Sequence, residues 1–86
     1  MIERSHGELC QLILANITPK LLKIGFESDA IDSSVDIMKV FDSFSILELI
    51  LDIEEQADLS VDLAKMDFGN SLPVSRLADQ IIALNP

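Results

Sequence analysis

The chain has no tryptophan or tyrosine, one cysteine, one histidine, and only six lysines and arginines among 86 residues. Each shortage removes a class of function. A single cysteine, Cys10, permits neither an internal disulfide nor a cysteine metal cluster. The lack of a disulfide framework in so small a chain favours a reducing, cytoplasmic setting. Six bases against fifteen acids give a net charge of −9. That field repels phosphate backbones, so no nucleic-acid partner is expected. No apolar run approaches the length of a membrane span. At the start, MIERSHGELCQLILANI, Glu3 and Glu8 interrupt any basic-then-apolar leader, and Glu8 sits too close to Cys10 for a lipid-attachment signal. Repeats and low-complexity tracts are absent as well.

What is present is apolar residues, 49% of the chain, with four Phe as the only aromatics. Residues 1–86 are therefore read as one domain with a modest core, all-α, a small bundle of three to four helices packed with Leu, Ile and Val. The charge is unevenly spread. Residues 1–41 carry six acids and four bases, whereas residues 42–67 carry eight acids against Lys65 alone. Nearly all the excess thus falls on one segment. A solvated acidic face that keeps a small protein soluble is the plainer reading of that excess; a surface for basic partners is the other.

Helical spacing of Leu9, Leu12, Ile13 and Ile17 predicts a first helix over roughly Ser5 to Ile17, with Asn16 as a polar intruder on its face. Thr18-Pro19 either ends or kinks it, or starts a new turn carrying Leu21, Leu22 and Ile24. Gly25 to Phe41 reads as a long ordered loop pinned to a core by Phe26, Ile31, Val35, Ile37 and Val40. The clearest helix follows, DSFSILELILDIEEQ, capped by Asp42 or Ser43. Ile46, Ile50, Ile53 and Ala57 form one of its stripes and Leu47, Ile50, Leu51 and Glu54 the next, a wide apolar face. Glu48, Asp52 and Glu55, at i, i+4 and i+7, set three carboxylates on one exposed line, at a cost to the helix of about a few tenths of a kcal/mol per like-charged pair. One further turn is expected near Leu63 to Met66. A last helix is expected from near Ser71, with Pro73 in its first turn and Val74, Leu77, Ala78 and Ile81 facing inward.

Other clusters are weaker. His6 and Cys10, four apart, read as a surface histidine beside a core cysteine rather than half of a metal site. Asp29, Asp32 and Asp36 lack the ligand alternation and central glycine of a calcium loop. Met38 and Met66 read as fillers of core gaps. Ser43 has no histidine, lysine or cysteine in its own run to activate it, so it reads as a residue that another enzyme modifies. No acid–base or nucleophile–base pair stands out, and the chain is not expected to be an enzyme.

The stretch from Asp42 through Glu55 resembles the second helix of acyl and peptidyl carrier proteins, with their Asp-Ser-Leu or Asp-Ser-Phe signature ahead of an amphipathic acidic helix. It is especially similar to D-alanyl and free-standing carriers. The order of elements agrees over nearly the whole chain, and the specific part runs from about Asp42 to Val61. The resemblance implies an acyl-carrier type of bundle with a long loop between helices 1 and 2. It further implies that Ser43 receives 4′-phosphopantetheine from coenzyme A, with Asp42 as its signature neighbour. The modifying partner would be a phosphopantetheinyl transferase using Mg²⁺. The arm would hold an acyl or aminoacyl group as a thioester. Loading enzymes and downstream transferases or synthases would dock basic surfaces on Glu48, Asp52 and Glu55, with Phe44 and Ile46 as apolar contacts beside the serine; a monomer is expected. Two positions depart from the pattern: Val40 stands where many carriers have glycine, and Ser45 replaces a commonly acidic residue. The rival from another class is an acidic helical interaction module in which Ser43 is only a helix N-cap.

Overall fold

The computed structural model describes residues 5–85. They form α1 (His6–Lys23), α2 (Ile37–Val40), α3 (Ser43–Ala57) and α4 (Val74–Leu84), with single 3₁₀ turns at Ser28–Ala30 and Leu63–Lys65. Among the described residues there is no strand, and no helix is long and apolar enough to cross a membrane. The three long helices close on one core. Leu9, Ile13, Ile17 and Leu21 come from α1, Ile46, Ile50 and Ile53 from α3, and Leu77 and Ile81 from α4, and all of these are buried. Among the described residues no polar or charged side chain is buried.

α1 does not stop near Ile17. Ser5 caps it, accepting from the Glu8 N–H, and it continues through Pro19 to Lys23. An interior proline costs about 3 kcal/mol. Full burial of Leu21, one turn past Ile17 on the same face, offsets about 1.5–3 kcal/mol of that. The helix then finds a better end. The Gly25 N–H bonds Leu22 C=O and the Phe26 N–H bonds Leu21 C=O, the paired closure that follows a left-handed residue. Gly25 supplies that residue at φ 107°, which no side chain adopts comfortably. Asn16, the polar residue on α1's face, is accounted for by a reciprocal amide pair with Gln56 of α3, at 3.0 and 2.9 Å.

The stretch from Gly25 to Phe41 is pinned as its apolar residues require. Val35 and Ile37 are buried, and Phe26, Ile31, Val40 and Phe41 pack partly buried against the core. Met38 and Met66 join them there. What the apolar pattern does not display is a polar clamp. The Asp36 carboxylate accepts from the Leu72 N–H (2.7 Å), the Met38 N–H (3.1 Å) and the Ser71 hydroxyl (2.9 Å). Main-chain bonds from Ile37 to Leu72, Val74 to Val35 and Ser75 to Ser33 run alongside it. This contact holds residues 71–73 extended, which is why α4 begins at Val74 rather than near Ser71.

The amide of Leu72, more than any other group, holds the Asp36 carboxyl below its usual value of 3.8. A depressed folded-state pKa means that the clamp's stabilisation is complete above the ordinary carboxylate range and is lost as pH falls through the lower folded value. Asp36→Ala should therefore lower Tm by several degrees near neutral pH, and the gap to wild type should narrow progressively below pH 3.8, as read by thermal unfolding across pH. Gly25→Ala meets no neighbouring atom, so its expected loss of about 1 kcal/mol in denaturant unfolding would come from backbone strain alone.

Candidate functional site

The start of α3 is built by Asp42. In extended backbone ahead of the helix, its carboxylate accepts the Ser45 N–H at 2.8 Å and its carbonyl accepts the Ile46 N–H at 3.0 Å. The Ser45 amide, first among the causes, holds the Asp42 carboxyl below its ordinary value, so the cap is ionised at neutral pH. Of the two residues that the sequence offers as caps, the structure uses Asp42, and Ser43 takes the first helical position. Ser43 is exposed, and its hydroxyl has no partner among the described residues. The amides of Ser43 and Phe44 precede the helical hydrogen-bond ladder, so the serine stands at the helix end that carries unpaired donors and the positive end of the dipole.

Past the cap, α3 divides into faces. The inner face is Ile46, Leu49, Ile50, Ile53 and Ala57. Ile46 is 0% exposed, so the surface contact expected of it is corrected: one helical turn from the cap, it points straight into the core. Phe44 is 70% exposed and available for the contact expected of it. Leu47 and Leu51, read as part of a wide inner face, are instead 38% and 53% exposed. The arc occupied by the isoleucines is filled, and Leu47 and Leu51 fall to its solvent side. Phe44, Leu47 and Leu51, at i, i+3 and i+7, thus form an outer apolar stripe that starts next to Ser43.

Glu48, Asp52 and Glu55 are all exposed beside that stripe and take part in no ion pair or hydrogen bond among the described residues. Glu54, one residue away, is used within the fold. Its carboxylate accepts the Val61 N–H at 2.8 Å and ties down the chain after α3. The last turn of α3 has no basic residue, and Asp58 follows it at φ 55°, so the acidic charge sits against the negative end of the helix dipole without compensation.

The remaining sequence candidates do not converge on this site. His6 contacts the Ser75 carbonyl (3.0 Å) and Asp79 (3.1 Å), joining the starts of α1 and α4. Cys10 lies 3.8 Å from the same ring, and burial, then Asp79, pushes its thiol up, so it stays protonated. Asp32 turns back on Ser34 while Asp36 serves the clamp. Among the described residues no group of three or more His, Cys, Asp or Glu is placed to hold a metal ion. Two open grooves, each about 410 Å³, lie along Arg76 and Gln80 and along Gln11 and Gln56; Ser43 lines neither. Comparison of the chain with protein-family models, curated proteins and solved structures finds no match.

The division of α3 into faces has a direct thermodynamic consequence. Ile46→Ala should cost about 2–5 kcal/mol in denaturant unfolding through its cavity, and Phe44→Ala should stay within about 0.5 kcal/mol of wild type.

Proposed function

We propose that the chain is a carrier protein: Ser43 bears a 4′-phosphopantetheine arm, and an acyl or aminoacyl intermediate is carried on it between the enzymes of a biosynthetic pathway. One observation carries this reading. An exposed, unpartnered serine hydroxyl stands at the first position of α3, with its cap supplied by Asp42, at the head of an apolar stripe flanked by three unpaired carboxylates. The resemblance of Asp42 through Glu55 to the acidic helix of acyl and peptidyl carriers supports the same assignment, and with it an acyl-carrier type of bundle.

The residues fit the group. Ser43 Oγ offers the attachment atom, and the free amides of Ser43 and Phe44 favour a phosphate held there. When bound, the arm supplies a thiol on which the carried group forms a thioester. The protein's own part is presentation and docking. α3 holds the serine clear of the core, since each inward position of its first two turns is taken by Ile46, Leu49 or Ile50. Phe44, Leu47 and Leu51 give a partner enzyme an apolar contact, and Glu48, Asp52 and Glu55 steer its Arg and Lys residues. Steering by exposed charges gives fast association and ready release, as a shuttle between enzymes requires. On this reading the chain catalyses nothing itself. Its chemistry belongs to a phosphopantetheinyl transferase, a loading enzyme and a downstream transferase or synthase.

An acidic interaction module is the rival. In its simplest form Ser43 serves as the helix cap, but Asp42 does the capping, so the module would leave Ser43 without a role. Incubation with coenzyme A, Mg²⁺ and a broad-specificity phosphopantetheinyl transferase, followed by intact-mass measurement, separates the two. The carrier gains one phosphopantetheine and Ser43→Ala gains none, while the variant's stability stays within about 0.5 kcal/mol of wild type because no cap is lost. Folded wild-type protein that several transferases leave unmodified would favour the module. Reversing Glu48, Asp52 and Glu55 to Lys should slow partner association by about tenfold or more at low salt, and the difference should shrink as salt rises.

A further inference from the structure

Asp36 lies outside the site, yet it holds the chain that leads into it. Its carboxylate gathers donors from two separate segments, Leu72 and Ser71 ahead of α4 and Met38 within α2. Between that clamp and the serine the chain is tied at three points. Ile37 is fully buried, the Phe41 N–H closes on Ile37 C=O at 3.0 Å, and Asp42 then caps α3. Only Phe41, extended and half-buried, separates the end of α2 from Asp42, so a displacement at Asp36 is carried through α2 to the corner at Asp42 and Ser43. The docking face further along α3 is fixed differently, by burial of Ile46, Ile50 and Ile53.

We propose that Asp36 is a positioning residue for Ser43, fixing through α2 the place at which the serine hydroxyl meets the enzyme that modifies it. The proposal rests on the carrier reading for its functional consequence. Group transfer is sensitive to placement: a misplacement of about 1 Å can cost about 10²-fold in rate. Because Leu47, Leu51 and the three carboxylates lie beyond the corner on the part of α3 fixed by its buried isoleucines, the loss falls chiefly on kcat of modification and changes KM for the carrier little. Partial unfolding would act differently, raising the apparent KM as the folded fraction fell. Asparagine can keep the clamp, its oxygen accepting from the Leu72 and Met38 amides and its NH₂ donating to the Ser71 hydroxyl. Asp36→Asn is thus the conservative rescue.

The test pairs transferase kinetics on wild type, Asp36→Ala, Asp36→Asn and Ser71→Ala with site-resolved amide exchange. Ser45 and Ile46, whose N–H groups bond Asp42, report on the serine corner, and Ile81 reports on α4. For Asp36→Ala, kcat should fall roughly ten- to a hundredfold with little change in KM. Exchange at Ser45 and Ile46 should rise about tenfold more than at Ile81. Asp36→Asn should recover most of both, and Ser71→Ala, which removes one donor of three, should lie between. If Asp36→Ala does not fold, Ser71→Ala against wild type decides. Unchanged kcat and unchanged exchange at Ser45 in a folded variant would overturn the proposal. If wild type accepts no phosphopantetheine, the carrier reading falls by itself, and exchange at Ser45 and Ile46 still decides whether Asp36 places the serine.

Discussion

Burial of one face of α3 is the constraint on which the rest depends. A helix can turn only one arc inward, and Ile46, Leu49, Ile50, Ile53 and Ala57 occupy it. Once they are inside, Phe44, Leu47 and Leu51 have no place in the core and are left on the outer side with Glu48, Asp52 and Glu55. α1 packs against both α3 and α4, the inner face lies in the shared core, and the outer one stays exposed. Isolated exposed apolar side chains need no explanation, but three in register along one helix, beginning beside a free serine and edged by acids, form a surface of defined chemistry.

Charge placement reinforces that division. Several acids elsewhere already have partners within the fold: Asp36 in the clamp, Glu54 on Val61, Asp67 on the turn at Gly69 and Asp79 beside His6. Glu48, Asp52 and Glu55 have none among the described residues, and they lie at spacings where they repel one another. They face solvent, and on the proposed carrier role cations on a docking enzyme would be their partners.

Much of this is legible in the sequence because it rests on short-range rules. The start of α3, the acidic line and the pins at Val35 and Ile37 follow from capping chemistry, helical spacing and isolated apolar residues in polar surroundings. The rest depends on tertiary facts that residue types do not encode. Thr18-Pro19 leaves a stop, a kink or a new turn open, and with Leu21 buried and the turn at Gly25 as its end the helix runs on through Pro19. Leu47 and Leu51 look internal because hydrophobicity alone cannot say how wide an arc the neighbouring helices will cover. Asp36 invites only a calcium-ligand reading in sequence, since its partners at Ser71 and Leu72 lie 35 and 36 residues away along the chain. Residue types leave open whether Asp42 or Ser43 caps α3 because either side chain can do it, and the choice made by the fold is what leaves the Ser43 hydroxyl free.

In the proposed carrier role this hydroxyl bears a thiol arm with a labile cargo. The most direct measurement is the intact mass of protein isolated from its own cells, before and after neutral hydroxylamine, which cleaves thioesters. A loaded form is expected that collapses on treatment to one carrying the phosphopantetheine arm alone, with the arm mapped to the peptide containing Ser43. A folded chain with the bare sequence mass, unchanged by hydroxylamine, would contradict it.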